Sequence, residues 1–148
     1  LGIRDGENLE IYTDDKSIIL KKHNNLLLID DLLEKLVVLS EEIMKYDILI
    51  TNRSKVQVAT NTLKSYENCT LSTEIKKIID ERSRITTNDL QSFKIGNNTL
   101  KGYISVEPII TNGDSSGVVI LYSENILSED AKNYTKLLAK IISGKIDI

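Results

Sequence analysis

The run Thr111-Asn112-Gly113-Asp114-Ser115-Ser116-Gly117-Val118-Val119-Ile120-Leu121-Tyr122-Ser123 decides the fold class of this chain. Thr111 to Asp114 concentrates residues that enter tight turns without steric cost. Gly117 to Ser123 is an unbroken apolar segment, and a strand without alternation is covered on both faces, hence central in its sheet. Upstream, Ser92 to Ile95 and Thr99 to Ile110 read as strands around the turn Gly96-Asn97-Asn98. Downstream, Ser128-Glu129-Asp130 caps a helix, with acids in its first turn. Its apolar stripe is Ala131, Tyr134, Leu137, Leu138, Ile141 and Ile142, and Gly144 is expected just past its end.

Toward the N-terminus, Asp47 to Thr51 and Lys55 to Thr60 flank the turn residues Asn52-Arg53-Ser54 and form another hairpin. Ser72 caps a short helix that reaches about Arg82, with Ile75, Ile78 and Ile79 inward. Before them, about Asp30 to Tyr46 is helical: Ile29, Leu33, Leu36, Ser40 and Ile43 form one stripe, widened by Leu32, Val37 and Met44. Val38 and Leu39 make that surface broader than one sheet can cover, so the helix needs a second partner. The order α-β-β-α-β-β-β-α implies an α+β fold: a mostly antiparallel sheet with helices packed on one face.

Residues 1–25 stand apart. Leu9-Glu10-Ile11-Tyr12-Thr13 alternates, Asp14-Asp15-Lys16 turns, and Ser17 to Lys22 returns as a second strand. Two strands alone are marginal in water, so this hairpin is expected to pair with strands from elsewhere. The chain opens on Leu1 rather than Met, which is read as a truncated or processed start.

The whole chain has 148 residues, 41% hydrophobic and 28% charged, a globular balance that excludes disorder. No apolar run approaches the roughly 20 residues that span a bilayer, and no secretory leader opens the chain; a cytoplasmic protein without membrane contact is expected. Cys69 is the sole cysteine and His23 the sole histidine. No intrachain disulfide is possible, and no carboxylates at suitable spacing complete a zinc site. Asn112-Gly113-Asp114 with Gly117 lacks the Lys-Ser/Thr pair of a phosphate loop, leaving a hairpin turn. Lys76, Lys77, Arg82 and Arg84 interleave with Glu74, Asp80 and Glu81, as on a solvated face. No catalytic residues, metal or cofactor are expected, for want of grouped acid-base or nucleophilic side chains. The net charge of −3 carries no DNA-binding footprint.

Leu1 to Tyr12, continuing through Ile18-Ile19-Leu20-Lys21-Lys22, resembles the second half of the AbrB-type swapped-hairpin domain. The remainder resembles the C-terminal part of the stage V sporulation protein T family, in which that DNA-binding domain is joined to a GAF-like domain. The likeness is carried by Asp47 to Thr51 with Val56 to Ala59, by Thr73 to Ser83, and by Tyr103, Pro108 to Asp114 and Gly117 to Ile120. It is loose from about 60 to 72 and from 84 to 102. The resemblance implies two units: residues 1–25, half of a swapped-hairpin β-barrel, and residues 26–148, a GAF-like sensor and oligomerisation domain. It further implies a DNA-binding transcription regulator of sporulation or transition-state type. In AbrB-type domains the arginines that touch DNA lie upstream of what aligns with Leu1, so DNA contact is expected through the full-length protein and from no residue of this chain.

GAF-type domains commonly hold small molecules between the sheet and its covering segments. By chemistry, Tyr66, Arg82 and Tyr103 are then the ligand-binding candidates for an unidentified effector; a packed core without ligand is the equal alternative. First and last helices of such domains often pack side by side. Two copies of each would form a four-helix bundle, a homodimer or homotetramer, through Leu36, Val38, Leu39, Ile43, Tyr134, Leu138 and Ile141. The competing function is a GAF-like ligand-sensing signalling module without DNA binding. An antitoxin would carry a short toxin-binding tail instead of a folded domain of this length.

Overall fold

The chain is described from a computed structural model, which covers residues 29–85 and 88–146. The expected hairpin of residues 1–25, and His23, lie outside the described residues.

Helix α1 runs Asp30–Leu39 and continues through a π turn, Ser40–Met44. Ser40 donates back to the Leu36 carbonyl at 2.6 Å, the side-chain bond by which a mid-helix serine loosens a helical ladder. The turn ends at Lys45 in the left-handed region, φ 61°. Strands β1 (Asp47–Thr51) and β2 (Val56–Ala59) follow, with Asn52 Oδ1 accepting from the backbone N–H groups of Ser54 and Lys55 in the turn between them.

A 3-10 turn covers Asn61–Tyr66, in the stretch without clear pattern. Helix α2 (Thr73–Asp80) begins where expected: Ser72 Oγ accepts from the Ile75 N–H at 3.3 Å. Strands β3 (Gln91–Ile95), β4 (Asn98–Thr111) and β5 (Asp114–Ser123) form a meander, and helix α3 (Glu129–Ile146) closes the described chain. Its N-terminus is capped by Ser128 Oγ, which accepts from the Ala131 N–H at 3.1 Å. Gly144 lies inside α3 rather than beyond it; the exposed final turn tolerates a residue whose Cβ position meets nothing.

The five strands are antiparallel in the order β2-β1-β5-β4-β3, which puts the apolar β5 at the centre, as its unbroken pattern requires. The β4–β5 turn is Asn112-Gly113, with φ 52° and 82°, both left-handed as a two-residue hairpin loop demands. Gly117 is fixed by packing: a Cβ there would lie 1.9 Å from the Thr51 carbonyl oxygen.

Because β1 and β5 are apolar on both faces, two cores form. Ile48, Ile50, Val119 and Leu121 face α1 and α3, meeting Leu33, Val37, Leu138 and Ile142. Leu49, Val118 and Ile120 face the other way, toward Leu63 of the 3-10 turn and Ile75 and Ile79 of α2. The expected gathering of helices on one face holds for the two long ones. The short α2 covers the opposite face, since an exposed second apolar face would be costly.

The β2 edge and the stretch of β4 that extends past β3 are both covered. On β2, the Val56 N–H donates to the Cys69 carbonyl, the Asn68 N–H to the Val56 carbonyl, and the Ala59 N–H to Glu67 Oε2. On the outer side of β4, Val106 exchanges two backbone bonds with Ile85, Pro108 has no N–H to offer, and the Ile110 N–H donates to Ser143 Oγ of α3.

Candidate functional site

Three surface features carry chemistry, and each arises from how the long helices and the hairpins meet the sheet. The first is the outer face of the helix pair. Tyr134 of α3 shares a hydrogen bond with Ser40 of α1 at 2.7 Å, and its ring lies 5.3 Å from that of Tyr46, so the two helices are tied side by side. On α1, Leu33 and Val37 face the sheet while Leu32, Leu36 and Leu39 repeat at intervals of four and three residues along one shoulder, and Ile43 follows, exposed, in the π turn. On α3, Tyr134, Leu137 and Ile141 form the matching shoulder. Leu32, Leu36 and Tyr134 are half-buried; Leu39 is 48% exposed, Ile43 69%, Leu137 53% and Ile141 39%.

Of the residues expected at a self-association surface, Leu36, Leu39, Ile43, Tyr134 and Ile141 therefore lie on that face. Two others do not. Leu138 is buried within the chain's own core, because its position on α3 points at the sheet. Val38 is exposed, but at 100° per residue it falls among Lys35 and Glu42, away from the shared shoulder. Leu137 belongs to the face and was legible in the sequence as the outermost member of the α3 stripe.

The second feature is the tip of the β4–β5 hairpin. Arg53, from the β1–β2 turn, donates to the Ser115 carbonyl at 2.7 Å and pairs with Asp80 at 3.0 Å. Arg82, just past α2 and itself at φ 54°, donates to the Gly113 carbonyl and lies 3.9 Å from Asp114. Both guanidiniums thus fasten α2 and the β1–β2 turn to the hairpin. Arg82 is one of the three residues expected at a ligand site, yet Tyr66 packs on the α2 side of the sheet and Tyr103 on the α1–α3 side. The structure does not bring Tyr66, Arg82 and Tyr103 together.

The third feature is a cleft of about 540 Å³ over the end of β1 and β5, bounded by the α1–β1 corner, Thr62 and the loop leading into α3. Asp47 and Tyr122, directly opposite each other across the two strands, form its floor. Tyr122 donates to the Lys101 carbonyl at 3.0 Å, its ring covering Gly102. Burial, then Glu124, Tyr66 and Asp47, hold the Tyr122 phenol above its ordinary pKa. Among the described residues no group of three or more His, Cys, Asp or Glu side chains is placed to hold a metal ion.

A family model, described as "Stage V sporulation protein T C-terminal, transcription factor", matches residues 32–146. The chain belongs to that family. The stage V sporulation protein T family is one of transcription factors, and its match runs from within α1 to the end of α3. The curated relative, "Stage V sporulation protein T" of Bacillus subtilis (strain 168), is 29% identical over 130 residues, which cover 84% of this chain and 72% of the relative. Among solved structures, a methyl-accepting chemotaxis protein fragment, residues 122 to 287, superposes with a TM-score of 0.59 at 18% identity, covering 80% of this chain and 88% of that one. That likeness is one of fold: the GAF-like arrangement of a curled five-stranded antiparallel sheet with helices. Among the described residues no helix is long and apolar enough to cross a membrane.

Proposed function

We propose that this chain is the assembly and sensing part of a cytoplasmic, DNA-binding regulator of sporulation or transition-state type, active as a homodimer or homotetramer. The observation that carries the assembly reading is the four-three spacing of Leu32, Leu36 and Leu39, followed by Ile43 in the π turn, beside Tyr134, Leu137 and Ile141. A globular domain has no internal use for such a shoulder, and two copies related by a twofold axis cover it as a four-helix bundle. Residues 1–25 then supply half of a swapped-hairpin β-barrel. DNA is contacted by residues upstream of Leu1, held in register by the bundle below.

The described surface supports this division of labour. The arginines at the hairpin tip are paired with Asp80, Asp114 and backbone carbonyls, and Arg84 reaches the buried Glu107 at 3.2 Å, so none is arranged to meet a phosphate backbone. The test compares DNA binding by this chain with that of the same chain extended upstream by an AbrB-type first half, titrated by fluorescence anisotropy at several salt concentrations. Tight, salt-steep binding is expected only for the extended protein. Equal weak binding by both would favour a sensing module that does not touch DNA.

A further inference from the structure

We propose that the cleft over the end of β1 and β5 binds a small organic ammonium compound. This rests on and deepens the sensing half of the proposed function, with a lining that does not include Tyr66, Arg82 or Tyr103.

The volume of about 540 Å³ is within the range of small-ligand sites. Its lining offers the two kinds of group that recognise an ammonium: the ring of Tyr122, and the carboxylates of Asp47, directly opposite it on β1, and of Glu124. Lys45, at the rim, is the one opposing charge. Ile126 and Leu127 supply an apolar side for the hydrocarbon part of a ligand. The raised Tyr122 phenol reports the same field, since Glu124 and Asp47 both contribute to it after burial. The position also suits a sensor. The lining runs from Lys45, the residue just past the π turn, to Ala131 in the first turn of α3, so an occupant sits at the junction of both helices of the proposed bundle.

The test uses phenethylamine as the probe cation on the isotopically labelled protein, followed by backbone amide shifts. Saturable shifts are expected at Asp47 and from Tyr122 to Asn125, and 2-phenylethanol, which lacks the charge, should bind about tenfold more weakly. Glu124→Gln, at an exposed position, should weaken phenethylamine about fivefold without changing thermal stability, and Asp47→Asn with Glu124→Gln should weaken it further. An amino acid and a simple amine share this ammonium chemistry. Phenylalanine binding more tightly than phenethylamine, with the advantage lost in Lys45→Ala, identifies the amino acid; no advantage identifies the amine. Absence of saturable shifts, equal binding of the alcohol, or binding unchanged in the charge-removed variants overturns the site. The dimer constant, measured with and without phenethylamine, tests sensing separately: an occupied cleft that leaves it unchanged refutes the sensor role alone.

Discussion

Replacing Ile43 by Ala should dissociate the assembly while leaving the folded chain as stable as before. Full burial of an isoleucine side chain is worth about 1.5 to 3 kcal/mol. Ile43 is 69% exposed in the single chain, so about two thirds of that remains to be gained at an interface. This gives about 1 to 2 kcal/mol per chain, doubled by the twofold axis to about 2 to 4 kcal/mol per dimer. At about 1.4 kcal/mol per decade, the dimer constant should weaken roughly 30- to 700-fold. The side chain makes little contact with its own core, so the unfolding free energy of the monomer should shift by no more than about 0.5 kcal/mol. Sedimentation equilibrium across micromolar to submillimolar concentrations measures the first quantity, and urea unfolding monitored at low concentration the second. Val38→Ala is the control: an exposed apolar side chain, 46% accessible, placed away from the shoulder, with no expected effect. A wild-type chain that stays monomeric, an Ile43→Ala dimer of unchanged affinity, or a Val38→Ala chain that dissociates would each refute the shared shoulder.

Leu138→Ala should act on folding instead, costing about 2 to 5 kcal/mol in urea unfolding, since it opens a cavity in the α3–sheet core. Glu67→Ala removes the carboxylate that accepts from the Ala59 N–H and pairs with Lys64 at 3.0 Å; about 1 to 3 kcal/mol should be lost, with faster amide exchange at Ala59. The Glu67 hydrogen bond, ahead of the weaker opposing effect of burial, also raises the Lys64 pKa; a raised folded-state pKa adds stability that is present below the unfolded value and lost as pH climbs through the folded one, so Glu67→Ala should flatten the alkaline limb of a stability–pH curve. Tyr122 obeys the same sign, its neutral form being favoured in the fold: tyrosinate absorbance should show a late-ionising component that is lost in Tyr122→Phe and moves toward the ordinary value in Glu124→Gln. If Tyr122→Phe leaves the late end of the absorbance titration unchanged, the cleft does not carry the field assigned to it.

The elements legible in the sequence are those whose pattern records a single constraint. Val118 to Leu121 is apolar without alternation because both faces of β5 are covered, and that alone places it centrally; Ser72 and Ser128 mark helix starts because unpaired N–H groups need an acceptor there. The 3-10 turn at Asn61–Tyr66 was not legible, because its role is to carry Leu63 into the second core and return Asn68 and Cys69 along the β2 edge, a tertiary requirement with no period of its own. The helix faces fall between these cases. A width of apolar surface on α1 is visible from Leu36 to Leu39, but its division into a core side and an outer shoulder depends on where the sheet lies.

That division explains why Leu138 and Val38 were grouped with Leu39 and Ile141 on sequence grounds. Periodicity gives the angle between residues on a helix and leaves the zero of that angle to tertiary packing. The Ser40–Tyr134 hydrogen bond fixes the zero for both helices at once. With it in place, Leu138 turns to the core, Val38 to solvent, and Leu137 joins the outer face. The ligand candidates show the complementary limit. Tyr66, Arg82 and Tyr103 were grouped by chemical type, and alternation along β4 puts Tyr103 on the opposite face from Tyr66. The cleft is formed instead by residues at strand and helix ends, Asp47, Tyr122 and the Lys45 corner, whose nearness comes from the antiparallel register of β1 on β5 and from no local motif. A binding site at the ends of elements is written in the register of the sheet, and that register becomes readable only once the central strand has its neighbours.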